Sequence, residues 1–384
     1  MPSSAAAPRY LSTAAPLALI YALLIVYASL YPFGDWRATG LPLWHFLSVW
    51  PRYVQKFDVV INVIGYLPLG LLVTAAVLHH RSAGAWAWRL LLIWLACSSL
   101  SFALETTQNF LADRIPSVLD LLLNSLGIAL GVLLAVLARR QGWLQAWQGW
   151  RRRWMQPDTR NLFVHLSLWP FALLFPTTVP FGLGQFYERL EQGLVGLLQD
   201  TPFLRFIPFR ALEFEPMLPV MQSTSVAIGL LLPLWSLDLL LKRGGVRILV
   251  HITTVMLGIL VLALSFSLSY GPENAWVWWT PAVRNGVLVA VFAGMVTVWA
   301  PKGWIAIQIL LALVLQTLLL NHASTDVYAD LAVQQWEQGR FVRFYGLTQW
   351  LGWIWPYLLG VFVTLMLLRR KPLDGAAFEV TPLR

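Results

Sequence analysis

Apolar segments long enough to cross a lipid bilayer follow one another along the whole chain. A helix needs about 20 mostly apolar residues to span the hydrocarbon core. Tryptophans cluster near the segment ends, as interfacial anchors do. The pattern predicts an all-α, polytopic integral membrane protein with about ten transmembrane helices. The predicted spans are residues 15–32, 58–79, 89–110, 118–138, 162–180, 217–241, 247–270, 282–300, 303–320 and 350–368.

The distribution of charge predicts how the chain is oriented. Only 12% of the 384 residues are charged, against about 25% in soluble proteins, and the net charge is +9. Lysine and arginine concentrate in the short connections after spans four, six and ten, which are expected to face the cytoplasm. An even number of spans then places both termini in the cytoplasm and the loop at 111–117 outside. Because membrane orientation accounts for the basic excess, nucleic acid is not expected as a partner.

The same pattern divides the chain into two membrane domains joined by a basic linker. Residues 1–138 are predicted to form a four-helix membrane domain, and residues 162–384 a second domain of about six helices. Residues 139–161 are basic and rich in tryptophan, and are predicted to lie on anionic headgroups as a cytoplasmic interfacial helix. Three outer segments are long enough to hold interfacial or amphipathic helices: 33–57, 181–216 and 321–349.

Polar side chains interrupt the first domain at one depth. The spacing Asp-x3-Asn-x2-Gly occurs in span two and again in span four. Residues four apart share a helix face, so each span would present a carboxylate and an amide while glycine allows close packing. We expect both spans to pack against span three, with these groups turned towards Glu105. A carboxylate at the bilayer centre costs about 2.5–3.5 kcal/mol, so such groups usually serve a function. The set comprises Asp58, Asn62, Glu105, Gln108, Arg114, Asp120 and Asn124.

These residues, with the segment IGYLPLG and Gly127, give residues 15–138 a resemblance to the VanZ-like family. The family is named for an accessory teicoplanin-resistance protein of Gram-positive bacteria. The resemblance implies a small bundle of membrane helices and a link to glycopeptide resistance and the cell envelope. It implies no defined reaction. Residues 160–384 lie outside the shared pattern, so their role is not set by the resemblance.

The first function that fits this pattern is that of an accessory protein of the cell envelope. Its outward-facing polar pocket would bind a lipid headgroup, or a lipid-linked glycan or glycopeptide. Arg114 would pair with a phosphate or carboxylate, which its planar guanidinium grips in a bidentate manner. Asn62, Gln108 and Asn124 would hydrogen-bond hydroxyl groups of the same ligand.

Two alternatives use the carboxylates differently. The chain would be an enzyme acting on a lipid-linked envelope substrate if Glu105, Asp58 and Asp120 served as general acid and base. It would be a proton-coupled transporter if Glu105 were the coupling acid. The transporter ranks last because the acidic residues gather near one face, and only Asp238 is expected at the inner end of a span.

The sequence offers no set of ligands for a metal or cofactor. The six histidines lie mostly away from the carboxylates, and Cys97, the single cysteine, sits in mid-span. It can form no intramolecular disulfide and belongs to no Cys/His set. We therefore expect no metal and no cofactor, and membrane lipids as partners. The expected location is the bacterial inner (cytoplasmic) membrane, crossed many times.

Overall fold

The structure is a computed structural model that describes residues 12–31, 33–34, 36–37, 40, 42–48, 50–51, 54, 56–78, 86–111, 114–175, 177–206, 217–321 and 342–368. In these ranges the chain forms helices and no strand, apart from an isolated bridge between Trp36 and Leu111. The helices are α1 (Ala14–Leu30), α2 (Lys56–Leu78), α3 (Trp86–Gln108), α4 (Val118–Arg140), α5 (Trp143–Trp154), α6 (Arg160–Ser167), α7 (Trp169–Ala172), α8 (Tyr187–Leu198), α9 (Pro219–Leu240), α10 (Val246–Tyr270), α11 (Pro281–Thr297), α12 (Lys302–Asn321) and α13 (Val342–Leu368).

The predicted all-α, polytopic membrane architecture is confirmed. Among the described residues, 7 helices are long and apolar enough to cross a membrane: α2, α3, α4, α9, α10, α12 and α13. Helices α1 and α11 are apolar but shorter. All predicted spans except one coincide with a single helix. The count of ten and the cytoplasmic location of the termini stay predictions, since residues 1–11 and 369–384 lie outside the described ranges, as does most of the predicted outer segment 321–349.

The prediction of a continuous span at 162–180 is wrong. The structure has two short helices here, α6 and α7. Pro170 lies in the first turn of α7, where its missing N–H is tolerated, but it cannot extend the helix that precedes it. Irregular backbone follows, with Leu173 and Phe181 buried. At membrane depth such backbone persists only where protein covers it.

The predicted outer segments differ from one another. Residues 181–216 contain the amphipathic helix α8, as expected. Residues 33–57 contain, among those described, only the short 3-10 helix His45–Ser48 before α2 begins. Its Phe46 is buried against Phe102, while Trp44 and Trp50 stay exposed.

The chain divides by its internal contacts into two compact units. The first unit comprises residues 1–164 with 338–347, and the second comprises residues 165–337 with 348–384. Helices α1 to α4 make the core of the first unit. Its buried apolar residues are Ile25, Tyr66, Leu69, Ile93, Cys97, Leu104, Ile128 and Val132.

Helices α2 and α4 of the first unit run in the same direction and touch backbone to backbone. A Cβ atom at Gly127 would collide with the carbonyl oxygen of Val63, and one at Gly131 with that of Leu67. A Cβ atom at Gly70 would likewise collide with the backbone of Ile128. Small residues four apart are how membrane helices approach closely, because lipid gives apolar side chains no preference for protein. Both helices also contact α3, as expected, but their closest contact is with each other.

The second unit is built around α9. Nearly all of the most apolar part of α9 is buried, and the helix packs against α10, α11 and α12. Arg247, in the first turn of α10, is fully buried at the end of α9 and donates hydrogen bonds to the carbonyl oxygens of Asp238 and Leu241. Its Nη1 also lies 3.5 Å from the carboxylate of Asp238, which His251 Nε2 approaches to 3.2 Å. Arg247 therefore lies at the start of a predicted span, as a buried ion-pair partner and not as a solvated charge.

Candidate functional site

The polar residues singled out in the sequence meet at one end of the first unit. Asp58 lies in the first turn of α2 and Asp120 in the first turn of α4, while Glu105 lies in the last turn of α3. Because α3 runs antiparallel to its neighbours, these three turns share one end of the bundle. We call Asp58, Asn62, Glu105, Asp120 and Asn124 the carboxylate cluster.

The centre of the cluster is a direct bond between α2 and α4. Asn62 Nδ2 donates to Asp120 Oδ1 at 2.6 Å, and both side chains are half-buried. The close approach of the helices at Gly127 and Gly131 brings these short side chains within reach. Asp120 also interacts electrostatically with Asp58 on one side and Glu105 on the other. The three carboxyl groups therefore range from exposed Asp58 through half-buried Asp120 to buried Glu105.

The start of α4 holds the deepest carboxylate. Ser117 is the N-cap of α4, and its hydroxyl accepts a hydrogen bond from the backbone N–H of Asp120 at 3.1 Å. The Ser117 N–H in turn donates to Glu105 Oε2 at 3.2 Å. A helix N-terminus carries partial positive charge and unsatisfied N–H groups, so it favours carboxylates at this position. Glu105 is thereby fixed in place while only 5% exposed.

Asn124 supplies the cluster with an unused acceptor. Its Nδ2 donates to the Ser101 hydroxyl at 2.9 Å, and the residue is 3% exposed. Its Oδ1 has no hydrogen-bond partner in the part of the chain that the structure describes. A buried carbonyl oxygen left in this state loses its hydration without replacement, a cost of about 1–3 kcal/mol. A ligand hydroxyl or ammonium group would satisfy it.

Tyr66 is a further member of the site, which the sequence pattern did not predict. It is buried, and its hydroxyl interacts with the side chains of Ser101 and Ser29 and electrostatically with Glu105 and Asp120. A signal was present, because Tyr66 stands four residues after Asn62 and thus on the same face of α2. No sequence pattern indicated Ser117, because its contacts depend on the path of the loop before α4.

Gln108 and Arg114 lie at the same end but are engaged with α1. Gln108 Nε2 donates to the Ser29 carbonyl oxygen at 3.0 Å. Arg114 Nη2 donates to the carbonyl oxygens of Ala28 and Tyr31 at 3.1 and 2.9 Å. Cations at a helix C-terminus satisfy its orphan carbonyls and complement its dipole. Arg114 also interacts electrostatically with Glu105. The neighbouring Asp113 lies outside the described residues.

The site is therefore acidic and rich in hydrogen-bonding groups. Within the described ranges, no three histidine, cysteine, aspartate or glutamate side chains come together as a metal ion requires. Carboxylates and carboxamides are suited instead to hydroxyl and ammonium groups, to which they offer several acceptors and two amide donors.

Of three comparisons with known proteins, one gives a match. Neither the curated proteins nor the solved structures contain a match to the chain. Residues 15–139 match the model of the VanZ/LLP1 family, so the predicted resemblance is confirmed over that segment. The carboxylate cluster lies wholly inside it, and the second unit lies outside it. The chain is thus a multi-pass membrane protein whose first third is similar to the VanZ/LLP1 family.

Proposed function

We propose that the first unit binds the hydroxyl- or amine-bearing headgroup of a lipid or lipid-linked glycan at the outer leaflet of a bacterial inner membrane. The protein would act there as an accessory factor of the cell envelope, as the VanZ-like resemblance suggests. The observation that carries the proposal is the buried, unsatisfied Oδ1 of Asn124 beside the Asn62–Asp120 pair. A purely structural network would be expected to satisfy its own buried acceptors.

The gradient of exposure supports the same assignment. Asp58 is exposed, Asn62 and Asp120 are half-buried, and Asn124 is buried. A headgroup entering from the membrane surface would meet Asp58 first and Asn124 last. Excess negative charge favours an ammonium or a neutral sugar over a phosphate at this end. Arg114 would act on the ligand indirectly, by holding the end of α1 and offsetting the charge of Glu105.

The experiment is native mass spectrometry of the detergent-solubilised full chain, which weighs the lipids that the protein retains. The wild-type chain should retain a species with a hydroxylated or amine-bearing headgroup. Asp120→Asn and Asn124→Leu should each lose most of it, because each removes an acceptor. Asp200→Asn removes an exposed carboxylate from the second unit and serves as the matched control. Equal retention by all four proteins would contradict the proposal.

The enzyme alternative gives a different outcome in the same assay. If Glu105, Asp58 and Asp120 act as acid and base, the wild-type chain should convert a retained lipid to a product of different mass. Glu105→Gln should then accumulate the substrate, because a carboxamide cannot exchange the proton. For a binding protein, the wild type and Glu105→Gln should retain species of the same mass.

A further inference from the structure

A cleft of about 210 Å³ opens at the other end of the first unit. Its walls come from the start of α1, the last turns of α2 and α4, and one face of α5. Helices α2 and α4 begin at the carboxylate cluster and end at the cleft. About 30 Å of helix therefore separates the two places, at 1.5 Å per residue. The cleft is independent of the headgroup site proposed above.

The polar lining of the cleft is suited to an anion. It provides two guanidinium groups, two carboxamides and two hydroxyls, and none of the described lining residues is acidic. Guanidinium groups bind phosphate through paired, charge-assisted hydrogen bonds. The polar lining residues are Ser12, Thr13, Arg139, Gln145, Gln148 and Arg151.

Both arginines are held at the cleft by the fold. Arg139 Nη1 donates to the Leu78 carbonyl oxygen at 2.6 Å, which keeps the guanidinium beside the end of α2. Arg151 belongs to α5, which begins directly after Gly142 in the left-handed region, with φ of 79°. This sharp turn after α4 lays α5 back across the helix ends, so one of its faces lines the cleft.

The burial of Arg151 sets it apart from its neighbours. Arg151 is 4% exposed, whereas Arg152 and Arg153 on the same helix are exposed. A helix that only rested on headgroups would keep all three arginines at the surface. The selective burial of the one that lines the cleft indicates a local role.

We propose that this cleft binds a phosphate group, carried either by an anionic lipid or by a soluble phosphate compound. Its volume is below the roughly 300–1,000 Å³ of pockets for drug-sized ligands, so it suits one small charged group. Exposed tryptophans at this end, Trp143 and Trp150, match the amphipathic residues that sit at headgroup level. A lipid phosphate at the membrane surface would reach the cleft with its acyl chains still in the bilayer.

The test is calorimetric titration of the detergent-solubilised full chain with dioctanoyl phosphatidic acid and, separately, with inorganic phosphate. Gln145→Glu places a negative charge in the cleft at an exposed position and should weaken binding at least about tenfold. Gln141→Glu, exposed at the same end but outside the lining, should stay within about twofold. Arg151→Gln should also weaken binding at least about tenfold, and Arg152→Gln should not. Because Gln145 is exposed, its variant gives a result even if Arg151→Gln does not fold.

The two probes identify the source of the phosphate. Binding of the lipid that inorganic phosphate does not displace indicates a lipid site. Binding of inorganic phosphate that displaces the lipid indicates a soluble phosphate compound. Saturable binding of neither probe, or equal weakening by Gln145→Glu and Gln141→Glu, would overturn the proposal. Asp200→Asn, which changes an exposed carboxylate of the second unit, should leave the binding of both probes unchanged.

Discussion

The side chain of Asn62 joins α2 to α4 by a 2.6 Å hydrogen bond to the carboxylate of Asp120. The other two residues of the repeated Asp-x3-Asn spacing are not paired in this way. Asp58 is exposed, and Asn124 donates to Ser101 on α3. The repeated spacing thus produces an asymmetric arrangement. Asn62 and Asp120 are hydrogen-bonded to each other, whereas Asn124 Oδ1 has no hydrogen-bond partner among the described residues.

The first prediction concerns the Asn62–Asp120 pair itself. Asn62→Asp would set two carboxylates against each other and should lower the free energy of unfolding by about 1–3 kcal/mol. Adding Asp120→Asn to the same chain restores one amide and one carboxylate, and should recover most of the loss. Thermal unfolding in detergent measures both. A double variant no more stable than Asn62→Asp would show that the pair does not contribute as described.

The second prediction concerns the glycine contact between α2 and α4. Gly127→Ala should force the helices apart and destabilise the protein by about 1–3 kcal/mol, because the new Cβ meets the Val63 backbone. Gly65→Ala on α2 is the matched control, with nothing within 4 Å of the added atom. It should be neutral or slightly stabilising, since alanine has the higher helix propensity. Equal losses in both variants would contradict the packing.

Local spacing made a large part of the first unit predictable. Helical periodicity alone predicts which helix face carries Asn62, Asp120 and Gly127. In the structure all three lie at the contact between α2 and α4. The contacts of Arg114 with Ala28 and Tyr31 were not predictable. They join residues more than eighty positions apart through a loop whose path no local pattern specifies.

The packing of the second unit was harder to predict from the sequence. Nearly all of α9 is buried, whereas α10 exposes one face. Both helices are simply apolar, because lipid and protein interior select the same side chains. The burial of Arg247 could not be predicted from the sequence, because it depends on contacts with the end of α9. The break at 162–180 followed from Pro170, which hydropathy does not register.

The third prediction concerns the buried Arg247–Asp238 pair. Arg247→Met should destabilise the protein by about 3–5 kcal/mol, because it leaves a buried carboxylate without its cation. Adding Asp238→Leu should recover only part of this loss, because the carbonyl oxygens that accept hydrogen bonds from Arg247 stay without a donor. Arg243→Met, at an exposed position nearby, should change stability by less than about 0.5 kcal/mol. A loss of stability in Arg247→Met as small as that in Arg243→Met would show that the buried ion pair does not stabilise the protein.

The fourth prediction concerns orientation in the membrane. In a Cys97→Ala background, a cysteine introduced at Ile115 should react with an impermeant thiol reagent on intact cells, since that side chain is 88% exposed. A cysteine introduced at Gln145, exposed at the opposite end, should react only after lysis. The reverse pattern would place the carboxylate cluster at the inner leaflet and the phosphate cleft outside.

The most direct test of a headgroup site at the carboxylate cluster is cryo-electron microscopy of the full chain in nanodiscs made from bacterial lipids. Non-protein density should lie within hydrogen-bonding distance of Asp120 and of Asn124 Oδ1 and reach out past Asp58. Density should weaken in Asp120→Asn and persist in Asp200→Asn. A wild-type map in which neighbouring protein groups satisfy Asn124 Oδ1, with no density beside Asp120, would contradict a headgroup site at the carboxylate cluster.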